Sequence, residues 1–459
     1  MTAPPHGGRT PGNGRALPDT QQGMRRRNLA RVMHAVSAEG SLSRATVSTR
    51  IGLTRAAVST LVDDLIRWGL LEELGPERPG RVGRPGSALA VSGRGPAGIG
   101  AEIGVDHLAV CLVDLRGVVR ARAVRHGVNR GRAAEPVVEE LTALIREVVT
   151  EAGREDLRPA GLAVAVPGLV ARDGRTVVRA PNLDWRDTDL GSLLPDAWPL
   201  TVDNEANFGA LAELWLADGT PREFLHVSAE IGIGAALVVD GGLLRGTRGF
   251  AGELGHVPVR PDGPACPCGG RGCLEQYAGE EAVLRAAGLA AGAPPEKLTG
   301  VRGERAGRVK AGERAERVEA GTPAERVVEL GGRAGLERIG GRGDLVRLAG
   351  RADVVGLLGV RAEDGDERVR AALRDAGTAL GIALTGAVNL LDPETVVLGG
   401  ALAGLAPWLL PSLEAELSGR TAGPACPIAV SRLGPEGPLL GAAHSVVRSV
   451  LDDPAASAA

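Results

Sequence analysis

The stretch "AGELGHVPVRPDGPACPCGGRGCLEQYAGEE", residues 251 to 281, restricts the fold of this chain more than any other. It packs three of the five cysteines, one of the seven histidines and several carboxylates into a glycine-rich run. Soft ligands crowded into so short a segment either share a metal ion or lie together as reduced thiols, and each outcome pins the backbone around them. The redox compartment bears on the choice. Residues 1 to 22 contain no apolar core of a signal peptide and read as a disordered tail, which argues against export and for a cytoplasmic chain. Thiols stay reduced there, so clustered cysteines favour metal over disulfides. The longest uncharged apolar run, Ala376 to Leu391, is shorter than the roughly 20 residues a bilayer requires, and Asp392, Pro393 and Glu394 follow it. No membrane partner is expected.

A chain of 459 residues exceeds one ordinary core, and two to four domains are expected. Hydrophobic residues at 44% and charged residues at 24% suit a soluble globular protein, while aromatics at 2% leave Ala, Val and Leu to build the cores. A net charge of −3 identifies no partner, but its distribution does. Residues 21 to 95 hold twelve arginines against six acidic residues, an asymmetry that points to a polyanion.

Within that basic region "RRRNLARVMHAVSAEG" places Leu29, Val32, Met33 and Val36 at helical spacing and stops at Gly40. "SRATVSTRIG" predicts a second short helix between a Ser43 cap and Gly52. "TRAAVSTLVDDLIRWGLLEE" predicts a third, capped by Thr54, with Val58, Leu61, Val62 and Leu65 on its buried face. Two short helices joined by a tight glycine turn form a helix-turn-helix, whose second helix enters the DNA major groove. Arg44 at the start of the second helix, and Arg55, Ser59 and Thr60 near the start of the third, could then meet phosphates or base edges. "LLEELGPERPGRVGRPGSALAV" reads as two strands around an Arg/Gly/Pro loop, a wing offering Arg78, Arg81 and Arg84 to the backbone or minor groove.

From about Gly98 strands and helices alternate. "GIGAEIGVDHLAVCLVDLRGVVRARAV" reads as a β-meander, "AAEPVVEELTALIREVVTEAG" as an amphipathic helix and "GLAVAVPG" as a buried strand. "LTVDNEANFGALAELWLADG" runs from strand to helix, and "FLHVSAEIGIGAALVVDGGLL" forms a strand pair. This pattern argues for two α/β lobes with a cleft between them. A biased segment from about 294 to 350 interrupts it and reads as a poorly ordered insertion. Regular texture resumes near Ala352, with a long helix through "AALRDAGTALGIALTGAVNLL" and the strand "ETVVLGG".

Several motifs together resemble the ROK family (repressors, open reading frames, kinases), in particular its winged-helix, sugar-responsive regulators of the xylose and N-acetylglucosamine repressor type. They are "VPGLVARDG", "APNLDW", "VDNEAN…ALAE", "IGIGAALVVDGGLLRG", "GELGHVPV…CPCGGRGCLEQYAG" (the most specific) and "NLLDPETVVLGG", in this order along the chain. The resemblance runs from about Arg25 to the end, outside the biased insertion. It implies an α/β fold in which a winged helix-turn-helix over 23–93 precedes a two-lobed, actin-like (hexokinase-like) domain over 97–459. It also implies operator DNA as partner, a sugar or sugar-derivative effector, and self-association as a homodimer or dimer of dimers.

Carried over residue by residue, the resemblance implies a structural Zn²⁺ held by His256, Cys266, Cys268 and Cys273, and sugar hydroxyls met by Asn204, Glu205, Glu253, His256 and Glu275. One histidine and three thiolates satisfy a closed tetrahedral site with no position open for water. The spacing of these four is not the common pair of CxxC knuckles, so by itself it leaves the reduced thiol cluster open. For the sugar, carboxylates and amides match the paired donors and acceptors of vicinal diols. If His256 serves both, one ring nitrogen binds metal and the other a hydroxyl.

Family kinases use an Asp after Asn as base and two Gly/Thr-rich loops around the ATP phosphates, and the sequence departs at all three places. "EIGVDH", Glu102 to His107, stands for D-x-G-G-T; "AEIGIG", Ala229 to Gly234, puts Glu230 where a hydroxyl is expected; and the base is Glu205. A carboxylate facing a phosphate repels it. The expectation is a sugar-responsive repressor of carbohydrate uptake or catabolism genes without catalytic residues. The alternatives are an ATP-dependent sugar kinase with an attached DNA-binding domain, and a DNA-binding scaffold whose cleft binds no sugar.

Overall fold

Cap residues set the first helices. The computed structural model describes residues 20–76, 87–217, 219–289 and 351–457. Helix α1 (Gln21–Glu39) opens at Thr20, whose hydroxyl accepts the Gly23 N–H, and closes at Gly40, where φ is 78°. It buries Leu29, Val32, Met33 and Val36, the residues its spacing selects. After β1 (Leu42–Ser43), α2 (Arg44–Ile51) lies between the Ser43 cap and Gly52 in the left-handed region, and α3 (Arg55–Arg67) starts at Thr54, which accepts the Ala57 N–H. Such caps contribute about 1 kcal/mol each. β2 (Leu71–Pro76) and β3 (Ser87–Val91) are antiparallel, and β3 also pairs with β1. Three helices backed by this small sheet are a winged helix-turn-helix. The expected wing loop, with Arg78, Arg81 and Arg84, lies outside the described residues, as does the expected insertion over 294–350; of the tail expected over 1–22, residues 1–19 also lie outside them, whereas Thr20 caps α1 and Gln21 and Gln22 form its first turn.

The alternating region builds two five-stranded sheets. The first is formed by β4 (Gly95–Ile103), β5 (His107–Asp114) and β6 (Val119–His126), then, beyond α4 (Ala134–Gly153), by β7 (Leu157–Val166). Three short strands, β8 (Leu169–Val170), β9 (Thr176–Ala180) and β10 (Trp185–Asp189), make a sheet of their own, and α5 (Leu190–Leu193) follows. β11 (Leu200–Asn204) completes the first sheet in the order β11-β7-β4-β5-β6, and α6 (Glu205–Leu216) springs directly from it. Strand and helix share one bend at Asn204. Ile99, Leu108, Val110, Leu112 and Val164 pack with Val137, Leu141 and Ile145 of α4 in a core of aliphatic side chains.

The second sheet begins with β12 (Phe224–Ala229), β13 (Ile233–Val239) and β14 (Gly242–Leu243). Two short helices, α7 (Glu275–Ala278) and α8 (Glu280–Ala286), precede α9 (Arg351–Glu363) and the long α10 (Glu367–Leu391). β15 (Thr395–Gly399), α11 (Gly400–Arg420), β16 (Ile428–Val430) and α12 (Gly437–Asp452) end the chain. The strand order is β14-β13-β12-β15-β16, with β12 antiparallel to β13 and parallel to β15. Leu225, Val227, Val396 and Leu398 of this sheet are covered by Leu373, Leu380 and Leu384 of α10 and Leu402 and Leu409 of α11. Strands buried on both faces read as continuous apolar runs, which is why "ETVVLGG" shows no alternation.

Contacts divide the chain into two units, Met1–Pro96 with Asp114–Arg116 and Val447–Ala459, and Ala97–Val113 with Gly117–Val446. The last residues thus join the first unit. There Asp452 bonds the His34 ring of α1 at 2.7 Å and Asp453 accepts from Arg26 Nε at 3.0 Å. Among the described residues no helix is long and apolar enough to cross a membrane.

Candidate functional site

An open cleft in the second unit gathers all five residues that the motifs assign to sugar hydroxyls, Asn204, Glu205, Glu253, His256 and Glu275. Its walls are the loop Pro167–Val170, the first turn of α6 with Asn204, Glu205 and Asn207, the turn Gly232–Ala235 before and into β13, and Gly249, Ala251, Gly252, Glu253, His256 and Glu275. Asn204 caps α6, its Oδ1 accepting the Ala206 N–H at 2.8 Å, and its amide donates to the Gly168 carbonyl at 2.8 Å. The cap therefore fixes this side chain at the rim.

Asp203 falls within "VDNEAN" but carries no role in the residue-by-residue reading, although it lies one residue before Asn204. It is buried, and its Oδ1 accepts from the Asn204 N–H at 2.8 Å and from Asn207 Nδ2 at 2.7 Å. Its other oxygen pairs with Arg245 at 2.6 Å. The signal was present in the sequence as an acidic residue at the end of a buried strand, where the cost of burying a charge demands a function or a partner.

Gly252 and Gly255 let the "AGELGH" segment lie directly on β13. Gly252 has φ +106°, and a Cβ at either position would strike the Ala235 or Ile233 carbonyl. The close approach turns Leu254–His256 into a single 3₁₀ turn that points Glu253 and His256 into the cleft. Glu253 keeps 43% exposure, yet the cleft walls crowd its carboxyl and desolvation raises it above the usual carboxylate range, with Glu275 adding and His256 opposing. Desolvation likewise raises Glu275, which opens α7 and accepts the Ile233 N–H.

The same turn delivers His256 to the cysteines. The ligand atoms of His256, Cys266, Cys268 and Cys273 all lie within 4.8 Å of one another, with Cys268 and Cys273 sulfurs 3.7 Å apart and His256 Nδ1 3.8 Å from the Cys266 sulfur. A disulfide would bring sulfurs to about 2.05 Å. An edge of about 3.7 Å is that of a tetrahedron around an ion with bonds of about 2.3 Å, the length of zinc–thiolate bonds. Burial pushes the Cys273 thiol up to about 12, and the neighbouring sulfurs add to this. Three thiolates at such distances would repel one another unless a cation lay among them. The donor set therefore fits a metal ion, and the Gly272 carbonyl and Arg179, which donates to the Pro267 carbonyl at 2.8 Å, hold the loop from outside. His256 Nε2 remains on the cleft side, 3.8 Å from Glu253.

A second histidine cluster occupies the "EIGVDH" turn. His107 lies over Gly104, bonded through Nδ1 to Asp106 at 2.9 Å and paired through Nε2 with buried Glu102 at 3.4 Å. Burial alone would lower its basicity, but those bonds and the charge of Glu230 outweigh it and raise the imidazole to about 10.

In the winged helix, Arg55 and Thr60 are exposed and Ser59 is partly so, on the first turns of α3. Arg44 is engaged within the unit: it pairs with Asp63 at 2.7 Å and Glu73 at 2.9 Å, tying α2 to α3 and β2. Arg81 and Arg84 lie outside the described residues.

Comparisons with known proteins agree on one family. The sequence profile of the ROK family matches residues 98–317 and 355–448. A putative xylose repressor of Caldicellulosiruptor sp. is 35% identical over 53% of this chain and 61% of its own length. The chain thus spans about three-fifths of that relative. The xylose repressor of Bacillus subtilis is 27% identical over 90% of this chain and 92% of its own. Among solved structures, a ROK family transcriptional regulator described as a homolog of the E. coli MLC protein superposes with TM-score 0.68 at 23% identity, covering 94% of this chain and 97% of that one. A ROK family glucokinase from Streptomyces griseus, in complex with glucose and AMPPNP, superposes with TM-score 0.56 at 24% identity, covering 76% and 98%. At these identities the structural likeness speaks for the fold alone, the two-lobed α/β fold shared by regulators and kinases.

Proposed function

The chain belongs to the ROK family, and on that premise we propose that it is a sugar-responsive, DNA-binding transcriptional repressor of carbohydrate uptake or catabolism genes. One observation carries the reading: the same chain holds a winged helix with Arg55, Ser59 and Thr60 on its recognition turns and a cleft of carboxylates and amides suited to sugar hydroxyls. Asn204, Glu205, Glu253, His256 and Glu275 would hold the ligand, and Arg81 and Arg84 on the wing would meet the DNA backbone. Zn²⁺, when bound by His256, Cys266, Cys268 and Cys273, supplies a rigid tetrahedral brace with no position open for catalysis. His256 would orient the ligand through Nε2 while Nδ1 faces the metal.

Ligand and operator are linked if each prefers one arrangement of the chain, so a sugar alters DNA affinity by the ratio of its affinities for the two arrangements. A homodimer would present two winged helices to a two-fold symmetric operator.

A kinase reading draws on Glu205, a carboxylate in the cleft at the base position. Against it stand Glu102 and Glu230, buried acids at the places where phosphate-cradling loops are expected. The deciding experiment titrates operator DNA with the full chain across a sugar panel while assaying sugar-dependent ADP release from ATP. A sugar that shifts operator affinity without ADP release is the expected result. Appreciable ADP release would overturn the non-catalytic reading, and operator binding indifferent to every sugar would overturn the sensor.

A further inference from the structure

We propose that this cleft takes a sugar bearing no phosphate or carboxylate, and that it rejects sugar phosphates and sugar acids. The inference rests on the sugar-sensing reading and narrows its ligand. The cleft is lined by four carboxylates, Asp203, Glu205, Glu253 and Glu275, and its lining among the described residues contains no lysine or arginine. An anionic group has no fixed cation to meet there.

Several groups that could have welcomed an anion are already engaged by the chain's own oxygens. Arg245, outside the lining, has its guanidinium paired with Asp203 at 2.6 Å. Two amides at the start of α6, where a helix favours negative charge, serve internal acceptors: the Asn204 N–H goes to Asp203 and the Ala206 N–H to the Asn204 side chain. The turn before β13 serves Glu275, whose carboxylate accepts the Ile233 N–H and lies so close to Gly232 that a Cβ there would strike it. What lines the rest of the cavity is mainly acceptors, together with the Asn182 amide and the His256 ring. Such a surface suits hydroxyl donors, because carboxylates accept from vicinal O–H groups with charge-assisted strength. It penalises a phosphate, and like-charge juxtaposition is an effective way to discriminate between ligands of one shape.

The test is calorimetric titration of the full chain with xylose, glucose and N-acetylglucosamine, each beside its terminal phosphate, and with glucuronate. The expected result is that at least one neutral sugar binds and its phosphate binds at least about tenfold more weakly. A phosphate or uronate that binds as tightly as its neutral counterpart overturns this inference and leaves the sugar-sensing reading intact. Silence across the panel overturns that reading instead. Two variants sharpen the result: Glu275→Gln and Glu253→Gln, each verified as folded by circular dichroism, should each raise the phosphate-to-neutral affinity ratio by about tenfold. An unchanged ratio in both overturns the inference even if the wild-type preference holds.

Discussion

His256 and His107 sit in glycine-bearing turns of the same unit beside carboxylates, yet the two turns put them to opposite uses. At His256 the neighbours on one side are three sulfurs within 4.8 Å, and on the other Glu253. At His107 the neighbours are all oxygen acids, Glu102 and Asp106 directly bonded and Glu230 nearby. Sulfur ligands favour a neutral imidazole that donates a lone pair to a metal, whereas hard carboxylates favour the imidazolium. The difference lies in the partners that the fold supplies, since the residue is the same. One turn gathers a donor set that fits a metal ion and leaves a nitrogen facing the cleft; the other makes a self-satisfied ion cluster where a phosphate loop is expected.

Removing the metal tests the first half of this contrast and carries the largest effect. The purified chain should contain one zinc per protomer by elemental analysis, and Cys273→Ser or strong chelation should lower Tm by about 10 °C or more, because structural zinc binding is folding free energy. Sugar affinity should fall with it. A chain without zinc, or one indifferent to chelation, would reduce the His256 site to a thiol cluster and break the comparison.

Next in size is a pair of variants that separates the cleft from the DNA face. Glu253→Ala should weaken sugar binding by about 1–3 kcal/mol while leaving operator affinity in the absence of sugar unchanged. Arg55→Ala should do the reverse, at a cost of about 1–3 kcal/mol in operator binding measured by fluorescence anisotropy. Loss of both activities in both variants would sink the assignment of residues to sites.

The His107 cluster makes a smaller, pH-dependent contribution. Its folded value, raised to about 10 against an unfolded value near 6.5, means that its stabilisation is fully present below about pH 6.5 and is lost as pH rises through 10. Stability of the wild type should therefore decline between about pH 6.5 and 10, and His107→Gln should flatten that slope without altering zinc content. A slope unchanged by the substitution would show that His107 is not the fixed cation of its cluster. The smallest effect belongs to Arg44→Ala. With its guanidinium shared between Asp63 and Glu73 at a partly exposed site, the variant should lose about 0.5–1 kcal/mol of stability. A loss of operator affinity much beyond that would mean that Arg44 contacts DNA as well.

Much of this was legible before any coordinates. The caps Thr54 and Ser43 and the stop at Gly40 mark their helices because a side-chain oxygen or a left-handed glycine acts on the nearest turn of backbone. The cysteines and His256 were legible for a similar reason, as three of the four ligands fall within eight consecutive residues. Arg44 was legible only in part. Its position at the start of α2 suggests a DNA contact, but its two acidic partners lie on other elements, where periodicity offers no guide.

By itself the sequence determined which chemistries were available: soft ligands for a metal, carboxylates and amides for hydroxyls, and an arginine-rich module for a polyanion. Those are properties of side chains and of their local spacing. Only the tertiary structure decided which atoms meet. It turned His256 Nδ1 toward sulfur and Nε2 toward Glu253, set Arg245 on Asp203, and brought Asp453 to Arg26 across 427 residues of chain. Pairs so distant in sequence leave no periodic trace, and their energies depend on burial and angle, which exist only once the chain has closed on itself.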